Sequence, residues 1–182
     1  MAIYFVATIA YSVDLKRRLV IDICALAGLY ALRVLAGGLA THISLSVWLL
    51  AFSIFFFYSL AAIKRQAELV DSAAAGRIKI QGRSYRPRDV PLMASMAASA
   101  GFVSVLVMAL YVNSPDVLEH YSQPKLLWGI CLVLLYWISR MVMVTHRGRM
   151  HDDPIVYTAR DWVSWIVFGA VGIVMLAAGL AL

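Results

Sequence analysis

The sequence predicts an all-α fold, a polytopic bundle of transmembrane helices. Of its 182 residues, 63% are apolar and only 14% are charged, whereas soluble domains are about 45–50% apolar and about 25% charged. The mean hydropathy of +0.82 agrees with a membrane protein. Long apolar runs alternate with short charged segments, and a run of about 17–25 residues is enough to cross a bilayer. We therefore expect five complete spans, preceded by one truncated N-terminal helix.

The N-terminal part contains the truncated helix and the first complete span. Residues 1–10 are apolar, but a helix of this length rises only about 15 Å, half of a bilayer core. They predict a spanning helix whose first half is missing, or alternatively an interfacial or re-entrant segment. Residues 19–40 form the first complete span and contain Asp22 and Arg33. Charges at membrane depth are costly, so we expect the Arg33 side chain to face a cavity. The Asp22 side chain either faces a cavity or lies at a helix end at the membrane interface.

The other four spans are predicted at residues 47–63, 90–112, 126–144 and 162–182. The helix of the second span is expected to continue beyond the membrane, because residues 61–75 contain good helix formers and neither proline nor glycine. On that extension Lys64, Glu68 and Asp71 follow at i, i+4 and i+7, so they share one helix face.

The basic residues indicate how the chain is oriented. Three alternate polar segments hold three, seven and four Lys or Arg residues, while the intervening loops hold none and one. This bias predicts that the charged loops are cytoplasmic, that the protein is a multi-pass protein of the inner (plasma) membrane, and that the C-terminus lies on the opposite side. The net charge of +6 is explained by these clusters, so we expect no nucleic-acid partner.

Each of the three charged segments contains acids as well as bases. The clusters are Tyr11, Asp14, Lys16 and Arg17 with Asp22; Lys64, Arg65, Glu68 and Asp71; and His151, Asp152, Asp153, Arg160 and Asp161. The orientation of the chain in the membrane would by itself require only Lys and Arg in these segments. Carboxylates at helix ends on one membrane face fit a hydrated Mg²⁺ that bridges to phosphate oxygens, and cations beside them would neutralise phosphate charge. Solvated loop charges and surface ion pairs are the alternative interpretation.

Three stretches resemble one family over nearly the whole chain. They are YSVDLKRRLVIDICALAGLYALRVLAGG, SVWLLAFSIFFFYSLAAIKRQAEL and HDDPIVYTARDWVS. In their order and spacing they resemble the C-terminal half of a UbiA-superfamily intramembrane prenyltransferase, in the branch that includes decaprenyl-phosphate phosphoribosyltransferase. The resemblance implies that residues 1–182 are a single membrane domain, the C-terminal half of a larger UbiA-type domain.

The resemblance also implies a chemistry. Members of the family bind Mg²⁺ and a diphosphate through Asp-rich motifs on the cytosolic side, and transfer a prenyl group or, in this branch, a phosphoribosyl group to a polyprenyl phosphate. Lys16 and Asp22 match the YSxxLK block and the acid after it, and Lys64, Arg65 and Glu68 match the KRxAEL block.

The expected roles are as follows. We expect catalytic roles for Lys16, Asp22, Lys64 and Glu68. Substrate-binding roles are expected for Tyr11, Arg17, Arg33, Arg65 and Arg160. Metal-binding roles are expected for Glu68, Asp71, Asp152, Asp153 and Asp161. The expected partners are the membrane, a polyprenyl phosphate or diphosphate lipid, and, as one option, a separate chain that carries the N-terminal half.

Two departures from the family pattern leave other functions open. Gln66 stands where the KRxAEL block usually has tyrosine, and the first Asp-rich motif, of the NDxxDxxxD kind, is absent. A non-catalytic remnant or assembly partner is therefore a second hypothesis. A small transporter subunit is a third, because Asp22 and Arg33 lie inside one predicted span.

Overall fold

The structure is a computed structural model, which describes residues 2–42, 46–76, 84–115, 117, 121–151 and 153–180. Its α-helices, in chain order, are α1 (Ala2–Val13), α2 (Ile21–Thr41), α3 (Val47–Ala74), α4 (Val90–Val112), α5 (Trp128–His146), α6 (Pro154–Arg160) and α7 (Trp162–Leu180). Short 3₁₀ turns at Leu15–Arg17, Pro87–Asp89 and Pro124–Leu127 lead into α2, α4 and α5.

The predicted fold class is confirmed. Five helices, α2, α3, α4, α5 and α7, are long and apolar enough to cross a membrane, and no strand occurs among the described residues. Helix α1 has only 12 residues, in agreement with the half-length helix that the sequence predicts. The chain is therefore a multi-pass membrane protein.

Helix α3 is the longest of the described helices and is longer than a bilayer core is thick; it continues past Ile63, as the composition predicts. Its 28 residues rise about 42 Å, compared with about 30 Å for the hydrocarbon core of a bilayer. Ser46 caps its first turn by accepting a hydrogen bond from the backbone N–H of Trp48. The last turns, which carry Lys64 and Asp71, consequently project from one end of the bundle. We refer to this end as the charged end.

The bundle packs around α3. This helix lies between α2 and α4, α5 packs against α3 and α4, and α7 packs against α5. Small side chains bring α3, α4 and α5 close together: a Cβ at Gly101 of α4 would collide with the side chain of Ile138 and touch the Ser59 hydroxyl. Two clusters of buried apolar side chains result, one toward the charged end around Ile63 and Trp137 and one toward the opposite end around Leu134.

The polar segment 140–161 contains more helix than its composition indicates. Helix α5 continues to His146, so Arg140 belongs to its last two turns. After a short connection, the Asp153 side chain accepts the backbone N–H of Ile155 and starts α6, which has Pro154 at its first position. Helix α6 ends at Arg160, directly before Asp161. The segment runs along the charged end and does not leave the bundle.

Candidate functional site at the charged end of the bundle

An ion pair buried between α2 and α3 lies at the centre of the charged end. Nε of Arg65 lies 2.8 Å from Oδ2 of Asp22, and both side chains are 0% exposed. The N–H does not point at this oxygen well enough to count as a hydrogen bond, so the contact is an ion pair. Asp22 lies in the first turn of α2, yet it is fully buried and is not a solvated helix end.

Tyr85 completes this buried cluster. Its hydroxyl donates to Oδ1 of Asp22 at 2.5 Å and accepts the backbone N–H of Val20 at 2.7 Å. Burial, together with the hydrogen bond to the Asp22 carboxylate, raises the pKa of Tyr85 well above its usual value, so this residue stays a neutral donor. Val20 has a φ of 64°, which is unfavourable for a β-branched residue. Tyr85 thus stabilises a strained turn at the start of α2.

The second partner of Arg65 is Glu68, one helical turn further along α3. Nη1 of Arg65 donates to Oε2 of Glu68, and the Glu68 side chain remains 30% exposed. Within the described part of the chain, Nη2 of Arg65 has no hydrogen-bond partner. A buried guanidinium N–H without an acceptor costs free energy, so Nη2 is a donor that the described residues leave unused.

The adjoining, more exposed face of the same helix end forms two accessible pairs with the segment that leads into α6. Nζ of Lys64 lies 2.6 Å from Oδ2 of Asp153, and these side chains are 32% and 26% exposed. Oδ1 of Asp71 lies 3.0 Å from Nδ1 of His151, a pair that is mostly exposed. Lys64 and Asp71 therefore share a face, as predicted from their spacing, and that face contacts the third charged cluster.

A third charged contact joins α5 to the start of α7. Arg140 donates through both Nη atoms to the Asp161 carboxylate, at 2.8 and 3.0 Å. Oδ2 of Asp161 also accepts the backbone N–H and the hydroxyl of Ser164. Burial disfavours ionisation of Asp161, but the hydrogen bonds from Arg140 and Ser164 outweigh it and hold the pKa of this carboxyl below its usual value. Ser164 in turn accepts the indole N–H of Trp137.

The first predicted cluster also lies at the charged end. The Ser84 hydroxyl donates to the backbone carbonyl of Arg17 at 2.5 Å, which connects the turn before α2 with the segment before α4. The side chains of Tyr11 and Lys16 are partly buried, and that of Arg17 is exposed. Described residues of all three clusters thus lie at the charged end of the bundle. The individual roles predicted for Tyr11, Lys16 and Arg17 stay predictions.

Arg33 lies apart from these clusters, on an exposed part of α2. Its Nε donates to the Tyr4 hydroxyl at 2.8 Å, and its guanidinium lies 4.8 Å from the centre of the Tyr30 ring. Because Asp22, eleven residues away on the same helix, is buried, the two charges do not share an environment. The structure gives Arg33 aromatic partners, and its predicted role in substrate binding stays a prediction.

The carboxylates proposed as metal ligands do not converge on one point. Among the described residues, no group of three His, Cys, Asp or Glu side chains could hold a metal ion. Glu68, Asp71, Asp153 and Asp161 each bind a basic side chain instead. Asp152 lies outside the described residues. Arg160 ends α6, is exposed, and makes an interaction of its own.

Sequence reasoning missed Tyr85, Arg140 and Ser164 as parts of this site. Tyr85 is separated from Asp22 by 63 residues and from Arg65 by a polar loop, so no helical spacing connects them. Arg140 and Asp161 are 21 residues apart on two different helices. A signal was available for two of them: a basic residue in an apolar span, such as Arg140, needs a partner, and a tyrosine such as Tyr85 usually finds a hydrogen-bond partner when it is buried.

Comparison with known proteins gives this chain relatives of three kinds. It is 34% identical over 167 residues to an uncharacterized protein of Sinorhizobium fredii, which covers 91% of this chain and 32% of that protein. It is 34% identical to the nodulation protein NoeC of Azorhizobium caulinodans, with 96% of this chain and 58% of NoeC covered. It is 35% identical to decaprenyl-phosphate phosphoribosyltransferase of Mycolicibacterium smegmatis, with 92% and 54% covered.

The matches cover most of this chain but only part of each relative. No protein-family model matches the chain. The chain spans between 32% and 58% of the length of these three relatives. The similarity nevertheless covers more than nine tenths of this chain in each case. The resemblance predicted from the three sequence stretches is therefore confirmed.

Proposed function

We propose that this chain, which resembles the UbiA-superfamily branch of the decaprenyl-phosphate phosphoribosyltransferases, is part of a membrane transferase that acts on a phosphorylated isoprenoid lipid. One observation carries the proposal. Acid and base side chains from α2, α3 and the segment before α6 meet at one end of a bundle that is otherwise apolar. A lipid phosphate is an anionic group attached to an apolar chain, so it matches both parts of this arrangement.

The accessible side of α3 is the part proposed to contact the phosphate. Lys64 is the exposed cation of this face, and its partner Asp153 is also within reach of solvent. An incoming phosphate oxygen would compete with Asp153 for the ammonium group, and charge-assisted hydrogen bonds of this kind are among the stronger ones in proteins. In support of this, the neighbouring Arg65 has a buried N–H without an acceptor among the described residues, and its partner Glu68 is partly exposed.

The buried residues are proposed to act through their neighbours. Asp22 and Tyr85 are almost completely buried, so they do not reach a substrate in this arrangement. They orient Arg65 and the start of α2. We therefore propose Lys64 and Glu68 as substrate-contacting residues, and Asp22 as a positioning residue. This assignment narrows the catalytic role that the family resemblance implies for Asp22.

The reaction is proposed to be a displacement at a carbon that carries diphosphate. The bond from this carbon to the diphosphate oxygen breaks, and a bond to a nucleophilic atom of the acceptor forms; when that atom is an aromatic ring carbon, the ring then loses a proton. For a phosphoribosyl donor the acceptor is the phosphate oxygen of the lipid. Negative charge develops on the departing diphosphate, and cations placed at that point lower the barrier. Lys64 is the accessible cation that this end of α3 supplies, and the buried Arg65 adds positive charge beneath the surface.

Mg²⁺ is proposed as a cofactor held jointly by protein and phosphate. The described carboxylates do not fit a closed site made by protein alone, because no three of them converge. They do fit the usual arrangement for Mg²⁺, in which one or two carboxylates and substrate phosphates share the ion. Glu68 and Asp71, three residues apart on α3 and both partly exposed, would supply these oxygens. The ion would neutralise diphosphate charge.

The charged end is proposed to face the cytoplasm, with the chain in the inner (plasma) membrane. The distribution of Lys and Arg among the loops supports this orientation. Whether the chain works with a further membrane segment, on the same or on a separate chain, is part of the proposal to be tested.

The experiment is a transfer assay on membranes prepared from cells that express the longest reading frame containing this chain. Polyprenyl phosphate with radiolabelled phosphoribosyl pyrophosphate is one pair of substrates, and a polyprenyl diphosphate with an aromatic acceptor is the other. We expect product from one pair, and loss of product in Lys64→Ala and Glu68→Ala at normal membrane levels. Wild-type turnover in both variants, or no product from either pair, would favour a non-catalytic partner or a transporter subunit.

A further inference from the structure

An apolar cavity lies at the end of the bundle opposite the charged end. It is partly open, is lined by residues of α3, α4, α5 and α7, and has a volume of about 480 Å³, within the range of about 300–1,000 Å³ that is typical of ligand pockets. Its lining is almost entirely aliphatic and aromatic, with Phe52, Met108 and Leu134 from three of these helices. Cavities of this composition exclude water and can bind apolar molecules, so the lining favours an apolar occupant.

A layer of aromatic side chains separates this cavity from the charged end. Phe56 and Phe168 line the cavity, and Trp137 lies against both, with ring centres 5.8 and 5.3 Å apart. On its other side Trp137 donates its indole N–H to Ser164 at 2.9 Å, which belongs to the charged contact of Asp161. The aromatic layer therefore ends the cavity toward the charged end, and a lipid with its phosphate beside Lys64 does not continue into it.

Hydroxyl groups mark the other limit of the cavity. Ser46 precedes the first residue of α3, Tyr111 is the penultimate residue of α4, and Tyr121 precedes the turn into α5. All three line the cavity. They lie where spanning helices begin or end, the level of the headgroups, at which tyrosine is enriched in membrane proteins. An occupant that enters from this end meets hydroxyls first and hydrocarbon further inside.

We propose that this cavity binds one acyl chain of a phospholipid from the leaflet opposite the charged end. The cavity lies within the spanning helices, so the chains of membrane lipids are the molecules that surround it. A helix about 10 Å wide needs roughly 420 Å³ for each turn, so the cavity holds about one turn and no helix of a partner. A flexible hydrocarbon chain fits the volume, and the hydroxyls lie beside its ester groups.

Native mass spectrometry tests the proposal. The protein is purified in detergent, stripped of lipid, and incubated with dioleoyl phosphatidylglycerol or, in a parallel sample, with undecaprenyl phosphate. We expect one phosphatidylglycerol to be retained by each chain. Filling the cavity with Met108→Phe or Val171→Phe should reduce its retention at least tenfold.

Matched controls lie two residues away on the same helices. Leu106 and Ile173 are 57% and 68% exposed and do not line the cavity, so Leu106→Phe and Ile173→Phe should retain phospholipid as the wild type does. Equal retention in all four variants would overturn the proposed site. Cavity-dependent retention of undecaprenyl phosphate in place of phospholipid would overturn the proposed source of the chain.

A photochemical measurement on the wild type covers the case in which the cavity-filling variants fail to fold. Phosphatidylglycerol with a diazirine at the end of one acyl chain is reconstituted with the protein and irradiated. We expect peptides with Trp48, Phe52 or Met108 to be labelled more strongly than peptides with the exposed Leu132. Labelling confined to the outward-facing residues of the helices would contradict the proposal.

Discussion

The two sides of the end of α3 carry similar charges in opposite surroundings. On the inward side, Arg65 and Asp22 are fully buried and Tyr85 covers them. On the outward side, Lys64 and Asp71 pair with partners that solvent reaches. Breaking a buried ion pair leaves an uncompensated charge, whereas exposed pairs contribute little to stability. The comparison separates residues that maintain the fold from residues that are available to a ligand.

The largest effect on stability is expected from Asp22→Ala. It leaves the buried guanidinium of Arg65 without its main counter-charge, which typically costs about 3–5 kcal/mol. The measurement is thermal or denaturant unfolding in detergent. Asp14→Ala is the matched control, because it breaks an ion pair with Arg18 whose side chains are more than half exposed, and it should change stability by less than about 1 kcal/mol.

The double variant Asp22→Leu/Arg65→Met sharpens this test. Replacing a whole buried pair with apolar side chains is often neutral for stability, so the double variant should be more stable than Asp22→Ala. An Asp22→Ala protein that unfolds like the wild type would show that the inward side does not maintain the fold.

The second largest effect on stability is expected from replacing Asp161, and this effect depends on pH. Because its folded-state pKa is below the usual value, the hydrogen bonds from Arg140 stabilise the fold at neutral pH, and this stabilisation is lost as the pH falls below about 4. Asp161→Asn should cost about 1.5–3 kcal/mol at neutral pH. Unfolding measured between pH 7 and 3 should show the wild type and the variant converging in acid. A constant difference would contradict the role of the charge.

Tyr85→Phe is expected to have a somewhat smaller effect, about 1–3 kcal/mol. It removes the donor to Asp22 and the acceptor for Val20 without changing the shape of the side chain. Tyr136→Phe is the control, because Tyr136 is 55% exposed on α5. Equal melting temperatures for the two variants would mean that the buried hydroxyl is dispensable.

The smallest effect is expected from His151→Ala on the outward side. Its side chain is 73% exposed and its contact with Asp71 is open to solvent. The free energy of unfolding should therefore change by less than about 1 kcal/mol. A larger loss in the same unfolding experiment would place this pair among the residues that maintain the fold.

The spans and the extension of α3 could be predicted from sequence because they depend on local composition. Apolar runs of sufficient length specify the helices, and the absence of glycine and proline after Ile63 specifies the extension. The shared face of Lys64 and Asp71 follows from helical periodicity. Each of these features is decided by residues that are close in sequence.

The partners of the charged residues could not be predicted in the same way. Asp22 could pair with several cations at the same end of the bundle, and the choice of Arg65 depends on how α2 packs against α3. Tyr85 reaches Asp22 only because the chain returns from a polar loop. The apolar cavity depends on side chains from four helices, and their packing cannot be deduced from the periodicity of any one helix.

The most direct test of the account is equilibrium binding of a radiolabelled polyprenyl phosphate to the wild type and to Lys64→Ala, both purified in detergent. Loss of a charge-assisted hydrogen bond, worth about 1.5–3 kcal/mol, should raise the Kd at least tenfold, while the melting temperature stays close to that of the wild type. Lys125→Ala, at the opposite end, should bind normally. An unchanged Kd for Lys64→Ala would contradict the proposal that the outward side of α3 binds lipid phosphate.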